Sequence, residues 1–275
     1  SGEYRFDISK YDAYEVFHCD ESVAFYEGLM LPRIGAFDHQ VSFPVLLDEE
    51  DIIIKSVDPF DINTTQEGID RAEGNVLALG CGLGYFAYMA AIKDNVSHIT
   101  VVEENGDIIN LFEKYILPQF EMKDKITVIQ SDPYEFLAKL DDGKYDYCYS
   151  EFSADENVGT YIRLKSICSK FSKMKVAYKQ ESSALAAVRF YILMQMITGY
   201  SASDIRGLST FLSEDLFYTE SEDYLVVKDM LKDVVINNRD QIDYYLDTEN
   251  IKHLLDGAVV SPTSTQEEEK GGEKS

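Results

Sequence analysis

The stretch from Asn75 to Ala87, Asn-Val-Leu-Ala-Leu-Gly-Cys-Gly-Leu-Gly-Tyr-Phe-Ala, decides the fold of this chain. Its apolar run over 76–79 predicts a buried strand, and the residues from Tyr85 to Lys93 predict a helix. Between them stand Gly80, Gly82 and Gly84, a spacing that predicts a tight turn. Without Cβ atoms there, a ligand can lie directly on the backbone, and the helix start offers it free N–H groups. A glycine-rich turn that binds nothing is the alternative.

Short apolar strands and helices alternate after this turn. Strands are predicted over Ile99–Glu103, Ile126–Gln130, Tyr145–Ser150 and Met174–Tyr178, with helices over about 106–117, 133–140 and 160–171. This alternation is typical of a parallel sheet with helices on both faces. We therefore expect an α/β protein with a Rossmann-like, doubly wound, mostly parallel sheet.

The segment before the glycine turn has a different character. Aromatic residues at helix-like spacing over 4–34 predict two short helices. Two β-rich runs over 41–57, separated by an acidic turn, predict a hairpin. The polar residues 61–66 predict an approach to the next helix, with Thr64 or Thr65 as its N-cap. These residues could also line a pocket, since they enter the sheet just before the glycine turn.

Further helices are predicted after the alternating region, over 183–197 and 213–256. The residues 261–275 contain no large apolar side chain and predict a disordered tail. The expected organisation has four parts. These are N-terminal helices and a hairpin over 1–74, a Rossmann-like domain over 75–200, a helical extension over 201–260, and the tail over 261–275.

The charge balance disfavours some classes of partner. The chain has 50 acidic against 25 basic residues, a formal net charge of −25. Such a field repels polyanions, so we expect no nucleic acid partner, whereas small neutral or cationic ligands are admitted more easily. A need for solubility alone would explain the charge equally well. No apolar run approaches the roughly 20 residues that span a bilayer, so we expect no membrane partner.

The four cysteines, Cys19, Cys81, Cys148 and Cys168, lack metal-like or redox spacing. Their contexts predict buried thiols, which is typical of a reducing cytoplasm, and no secretory signal is visible. The adjacent His18 and Cys19 have no second ligand pair nearby, so we expect His18 in the core and no metal site.

Polar residues follow the predicted strands where each one ends. Ligands bind at the carboxyl ends of the strands in a doubly wound sheet. Glu103 lies 19 residues beyond Gly84. That separation matches the one of roughly 20 residues at which an acid receives ribose hydroxyls. Ser131 and Asp132 follow the third strand, and Ser150 and Glu151 follow the fourth.

These residues resemble class I S-adenosylmethionine-dependent methyltransferases. The matching residues are Val-Leu-Ala-Leu-Gly-Cys-Gly-Leu-Gly at 76–84, Val-Val-Glu at 101–103, Gln-Ser-Asp at 130–132 and Lys-Tyr-Asp-Tyr at 144–147. The resemblance covers about residues 41–180, and the hairpin before the loop looks most like the spermidine-synthase-like branch. It implies that the glycines border the methionine and ribose parts of S-adenosylmethionine, that Glu103 takes the ribose, and that Asp132 meets the adenine amino group. Asp146 fits the common structural acid of the family.

The expected function is therefore methyl transfer from S-adenosylmethionine to a small or cationic acceptor. The candidate cofactor contacts are Gly80, Cys81, Gly82, Gly84, Glu103, Glu104, Ser131, Asp132 and Ser150. Glu151 is the candidate for acceptor contact because of its strand-end position, although a solvated loop acid is the alternative. The sulfonium makes the transfer an in-line displacement, and a general base is needed only if the acceptor must lose a proton.

The sequence departs from the family pattern at several points, and the sixth and seventh strands usual in the family are hard to find in the helical C-terminal part. Many members carry an acid two residues before the first glycine, where this chain has Ala78. No Asn-Pro-Pro-Tyr-type motif follows the fourth strand. Glu151 and Asp155 resemble the paired aspartates of aminopropyltransferases only loosely. An aminopropyltransferase using decarboxylated cofactor and a non-catalytic cofactor-binding relative therefore stay open as alternatives.

The spacing Gly82-x-Gly84-x-x-Ala87 also satisfies the dinucleotide fingerprint, but Gly80 and the Ser131-Asp132 pair favour S-adenosylmethionine.

Removing residues 261–275 should change the free energy of unfolding by no more than about 0.5 kcal/mol, the usual range for changes away from packed features. Urea denaturation of the full and truncated chains measures this. A markedly lower midpoint for the truncated chain would show that the tail docks.

Overall fold

The computed structural model describes residues 4–26, 29–151, 158–179, 181, 184–186, 188–189 and 239–256. The chain begins with five strands: β1 Arg5–Tyr11, β2 Phe17–Tyr26, β3 Leu29–Gly35, β4 Val41–Leu47 and β5 Ile53–Ser56. Strands β1, β4 and β5 form one antiparallel sheet, and β2 and β3 form an antiparallel ribbon. The hairpin predicted over 41–57 is confirmed as β4 and β5.

The prediction of two short helices over 4–34 is wrong. The helix-like spacing of Tyr11, Tyr14 and Phe17 arises from a turn rather than from a helix. Tyr14 lies in that turn with φ +64° and an exposed ring. Tyr11 and Phe17 lie on the strands at either end of it, and their rings stack with centroids 4.7 Å apart.

The first helix, α1, spans Pro59–Arg71, so the expected caps Thr64 and Thr65 lie inside it. Asp58 is the N-cap instead, and its side chain accepts a hydrogen bond from the Asp61 N–H at 2.9 Å. An acidic cap followed by proline at the first helical position is a stronger start signal than a threonine several residues later. Thr64 Oγ1 bonds back to the Phe60 carbonyl at 2.8 Å.

The central sheet contains five parallel strands: β6 Gly74–Leu79, β7 Val96–Glu103, β8 Ile126–Gln130, β9 Tyr147–Ser150 and β10 Lys175–Tyr178. Their spatial order is β10-β9-β6-β7-β8. The order reverses beside β6, which is the topology of a doubly wound sheet. The Rossmann-like α/β fold is therefore confirmed.

Helices pack on both faces of this sheet, as expected. They are α1, α2 Tyr85–Ala91, α3 Gly106–Leu111, α4 Pro133–Lys139 and α5 Val158–Cys168. Two further helices, α6 Arg239–Leu246 and α7 Thr248–Asp256, follow later in the chain. A π-helical segment over Phe112–Ile116 and a 3₁₀ segment over Leu117–Gln119 continue α3. On one face Val76 and Ala78 of β6 share a core with Phe86 of α2. On the other face Leu77 and Leu79 share a core with residues of α4 and α5.

The described part of the C-terminal region is helical. Ile251 and Leu255 of α7 pack in one cluster with Val158 and Ile162 of α5. The remainder of the helices predicted over 183–197 and 213–256, and the predicted tail, lie outside the described residues. In the described part of the chain, no helix is both long and apolar enough to cross a membrane.

A buried ion pair ties α1 to the carboxyl end of the sheet. Lys179 follows β10, and its ammonium pairs with the Asp61 carboxylate in the first turn of α1. The two side chains are only 7% and 14% exposed. Removing one partner of such a pair leaves the other charge buried without compensation, which costs far more than losing an exposed pair.

The Asp61→Asn variant should therefore lower the free energy of unfolding by about 3–5 kcal/mol, the usual cost of breaking a buried pair. The Glu73→Gln variant is the matched control, because Glu73 pairs with Lys175 at 2.7 Å and both side chains are exposed. Its effect should stay below about 1 kcal/mol. Urea denaturation measures both, and equal losses would contradict a structural role for the Asp61–Lys179 pair.

Candidate functional site

The candidate site lies where the strand order reverses, at the carboxyl ends of β6 and β9. The Gly80 N–H donates to the Val102 carbonyl at 2.8 Å, and the Glu151 N–H donates to the Leu79 carbonyl at 2.9 Å. These two bonds extend the ladders one residue beyond the strands. They hold the start of the glycine loop and the Glu151 backbone at one edge of the sheet.

The three glycines have φ values of +97°, +47° and +74°, in chain order. A side chain at Gly84 would collide with the protein itself, because its Cβ would lie 2.4 Å from Phe112 Cε2. A Cβ on Gly82 would meet nothing closer than Lys55 Cγ at 3.7 Å and Glu151 Oε1 at 3.8 Å. Gly84 therefore allows close packing within the fold, whereas Gly82 has room for a small group in van der Waals contact with Lys55 and Glu151.

Glu103 is held against this loop by two backbone amides. Its Oε2 accepts a hydrogen bond from the Cys81 N–H at 3.0 Å, and its Oε1 accepts one from the Asn105 N–H at 2.9 Å. A carboxylate has about four lone-pair sites, so each oxygen keeps capacity for another donor. The side chain is half-buried and its orientation is fixed.

Asp132 and Ser131 lie next along the same edge, after β8. Asp132 is the N-cap of α4, with its Oδ1 accepting from the Glu135 N–H at 2.8 Å. The Ser131 N–H donates to the Glu103 carbonyl at 3.0 Å. Partial desolvation raises the pKa of Glu104, and the carboxylates of Asp132 and Glu103 raise it further. Three carboxylates therefore lie close together at the ends of β7 and β8.

Three carboxylates act on the buried Cys81 of the glycine loop. Burial raises the pKa of the Cys81 thiol well above its usual value, and nearby carboxylates raise it further. Those carboxylates belong to Glu103, Glu151 and Glu113. The Cys81 thiolate is therefore disfavoured first by burial and then by these three carboxylates.

The end of β9 contributes Ser150 and Glu151. Ser150 is fully buried, and its hydroxyl has no hydrogen-bond partner among the residues that the structure describes. Buried polar groups usually have a hydrogen-bond partner, so the Ser150 hydroxyl is an exception to that rule at the end of β9. Asp155, the second half of the loose acidic pair, lies outside the described residues.

Sequence reasoning did not single out Lys55 or Lys179, and it treated Asp61 only as part of a polar approach to the first helix. Lys55 reaches from β5 to the end of β9, where its Nζ donates to the Glu151 carbonyl at 3.2 Å. Asp61 and Lys179 form their ion pair at the neighbouring strand end. The available signal was the position of Lys55, a single cation in the run Ile52-Ile-Ile-Lys-Ser-Val57. The charge around Glu151 is therefore mixed and not purely acidic.

Other candidate residues lie away from this edge. Asp146 Oδ2 accepts from the Asn75 N–H at 2.7 Å at the opposite end of the sheet, a structural contact. His18 is exposed on β2, so its expected core position is wrong. All four cysteines are free thiols, and all but the half-buried Cys19 are buried. The described residues contain no cluster of three or more His, Cys, Asp or Glu side chains that could hold a metal.

Comparisons with known proteins yield distant structural matches. No protein family matches this chain, and no curated protein does. Spermidine synthase from Thermotoga maritima is 13% identical, with 57% of this chain and 61% of that chain covered and a TM-score of 0.37. Precorrin 8w decarboxylase from Methanobacterium thermoautotrophicum is 21% identical, with 38% and 53% covered and a TM-score of 0.30. The 23S rRNA methyltransferase ErmE is 18% identical, with 43% and 44% covered and a TM-score of 0.33.

The match thus spans less than two thirds of each of these chains. Because the TM-scores are low, the fold assignment rests on the strand order of the central sheet. The function is argued from the residues of the site.

Proposed function

We propose that this chain is an S-adenosylmethionine-dependent methyltransferase acting on a small acceptor. The observation that carries the proposal is the position of the glycine loop among carboxylates, with Glu103 held beside it by the amides of Cys81 and Asn105. A strand-end acid next to a glycine loop is where a nucleoside places its ribose hydroxyls. The carboxylates of Glu103, Glu151 and Glu113 near the loop would attract a sulfonium cation.

Residues beyond the dinucleotide fingerprint favour S-adenosylmethionine over NAD or a flavin dinucleotide. Gly80 precedes the Gly82-x-Gly84 spacing, and Ser131 and Asp132 follow β8.

The residues of the site have separate roles under this proposal. When bound, S-adenosylmethionine supplies a methyl group on a positively charged sulfur, which makes the transfer a displacement governed by alignment. Glu103 fixes the ribose, Asp132 contacts the adenine, and the backbone of Gly82 receives the methionine part. Lys55 and Glu151 lie beside Gly82 and contact that same part. A general base is needed only where the acceptor must lose a proton.

Aminopropyl transfer is the second candidate function. The same loop and the same acids would hold a decarboxylated cofactor, which also carries a sulfonium. A non-catalytic cofactor-binding protein is the third, and Ala78 and the missing Asn-Pro-Pro-Tyr-type motif favour it. Product analysis with candidate amines separates the first two. Cofactor binding without turnover against a broad acceptor panel would favour the third.

S-adenosylhomocysteine should raise the melting temperature of the purified protein, whereas NAD should not. A ligand that binds only the folded state stabilises it by about 2.7 kcal/mol at a hundredfold excess over its dissociation constant. Thermal denaturation with each ligand measures the shift. A shift with NAD and none with S-adenosylhomocysteine would refute the proposed cofactor.

Replacing Glu103 by Ala should weaken binding of S-adenosylhomocysteine roughly ten- to a hundredfold. The reason is the loss of charge-assisted hydrogen bonds worth about 1.5–3 kcal/mol. Because Glu103 also holds two backbone amides, circular dichroism must confirm that the variant folds. Glu135→Gln is the control, since Glu135 is exposed on α4 and its carboxylate pairs with Lys139. Calorimetry gives the affinities, and a folded Glu103→Ala protein that binds like the parent would show that the site is misplaced.

The companion substitution is Asp132→Asn rather than Asp132→Ala. Asn caps a helix about as well as Asp, whereas Ala would cost α4 about 1 kcal/mol of capping free energy. The expected loss of affinity is smaller than for Glu103→Ala and confined to adenine-bearing ligands. An equal loss for a ligand that lacks the adenine amino group would contradict the proposed contact.

A further inference from the structure

We propose that Lys55 and Glu151 form a subsite over Gly82 for a zwitterionic amino-acid group, and that Lys55 selects a cofactor whose end carries a carboxylate. The inference rests on the proposed function, because it assigns the methionine end of the proposed cofactor. It names Lys55 as the residue that distinguishes S-adenosylmethionine from its decarboxylated form, and hence methyl transfer from aminopropyl transfer.

The geometry places opposite charges beside Gly82. A Cβ built on Gly82 would lie 3.7 Å from Lys55 Cγ and 3.8 Å from Glu151 Oε1. The two residues belong to different sheets, and Lys55 Nζ donates to the backbone carbonyl of Glu151 at 3.2 Å. A group lying on the Gly82 backbone therefore has a cation and an anion within reach.

The backbones that carry these two side chains are fixed. Lys55 pairs with Leu46 in the antiparallel register of β4 and β5. The Glu151 N–H donates to the Leu79 carbonyl, at the end of the strand that leads into the glycine loop. Both residues thus extend from hydrogen-bonded sheets. Fixed backbones limit the entropy lost when side chains are ordered around a ligand.

The charge of the surroundings explains why a lysine matters here. Glu103, Glu151 and Glu113 surround the loop, and a ligand carboxylate would be repelled unless a cation were close to it. Lys55 supplies that cation, and the Glu151 carboxylate receives the ammonium group. A decarboxylated cofactor has the ammonium but no carboxylate, so it would use Glu151 and gain nothing from Lys55.

A purely structural role for Lys55 predicts a different result. If its hydrogen bond to the Glu151 carbonyl only anchors the hairpin to the central sheet, its removal lowers stability. It would then weaken all ligands equally or not at all. The ratio of affinities for ligands that differ only at the amino-acid end separates the two roles.

The test is calorimetry of the full chain with three probes. These are S-adenosylhomocysteine, its decarboxylated analogue, and 5′-methylthioadenosine, which lacks the amino-acid end. The parent protein should bind S-adenosylhomocysteine about tenfold or more tighter than the decarboxylated analogue, as expected for one charge-assisted contact. Lys55→Met should abolish this preference and leave 5′-methylthioadenosine binding unchanged. Lys10→Met is the matched control, because it removes the same charge from an exposed position on β1 of the same sheet as β5.

Two further variants complete the design. Lys55→Arg keeps the cation and should keep the preference. Glu151→Gln should weaken both amine-bearing probes but not 5′-methylthioadenosine. If Lys55→Met does not fold, the parent and these two variants still decide.

The possible failures are distinct. A parent protein that binds none of the three probes refutes the proposed function. A parent that binds the probes but does not prefer the carboxylate-bearing one refutes the inference alone. The inference is equally refuted if folded Lys55→Met retains the preference.

Discussion

The structure depends above all on the parallel pairing of β6 with both of its neighbours. In this register Leu79 lies opposite Val102 on β7 and opposite Ser150 on β9. The residues that follow these three positions are Gly80, Glu103 and Glu151, so the pairing brings them to one level at the same edge of the sheet. A slip of one residue would turn the buried side chains of β6 to the opposite faces and separate this group.

The net charge of −25 says little about the candidate site, because the lysines have specific positions. Lys125 Nζ donates to the carbonyls of Ala91, Lys93 and Val96, at and beyond the end of α2. Lys93 and Lys170 bond carbonyls at the ends of α1 and α4 in the same way. Cations at helix C-termini satisfy free carbonyls and complement the helix dipole. Lys55 and Lys179, in contrast, lie near the ends of strands, where they contact Glu151 and Asp61. The charge at these strand ends is therefore mixed, although the whole chain is strongly acidic.

Local patterns predicted the central sheet well, because each strand and its following turn are contiguous. The strand over Ile126–Gln130 has the predicted bounds. The errors arose where distant residues or turn geometry decide. Tyr11 and Phe17 owe their spacing to the turn at Tyr14, and Asp58 takes the capping role expected of a threonine. Lys55 and Glu151 are in contact although 96 positions separate them in the sequence, and Asp61 and Lys179 are in contact across 118 positions. No local pattern can reveal such contacts.

Glu103 and Glu151 lie beside the glycine loop, but different groups contact them. They therefore have different roles in the proposed function. Glu103 is bonded through both oxygens to backbone amides, so its orientation precedes any ligand. A pre-oriented carboxylate loses little entropy on binding and therefore suits the part common to all nucleoside cofactors, the ribose. Glu151 lies beside Lys55, whose Nζ donates to the Glu151 carbonyl at 3.2 Å, so charges of both signs meet there. Affinity for the nucleoside would then depend on Glu103, and discrimination among amino-acid ends on Lys55.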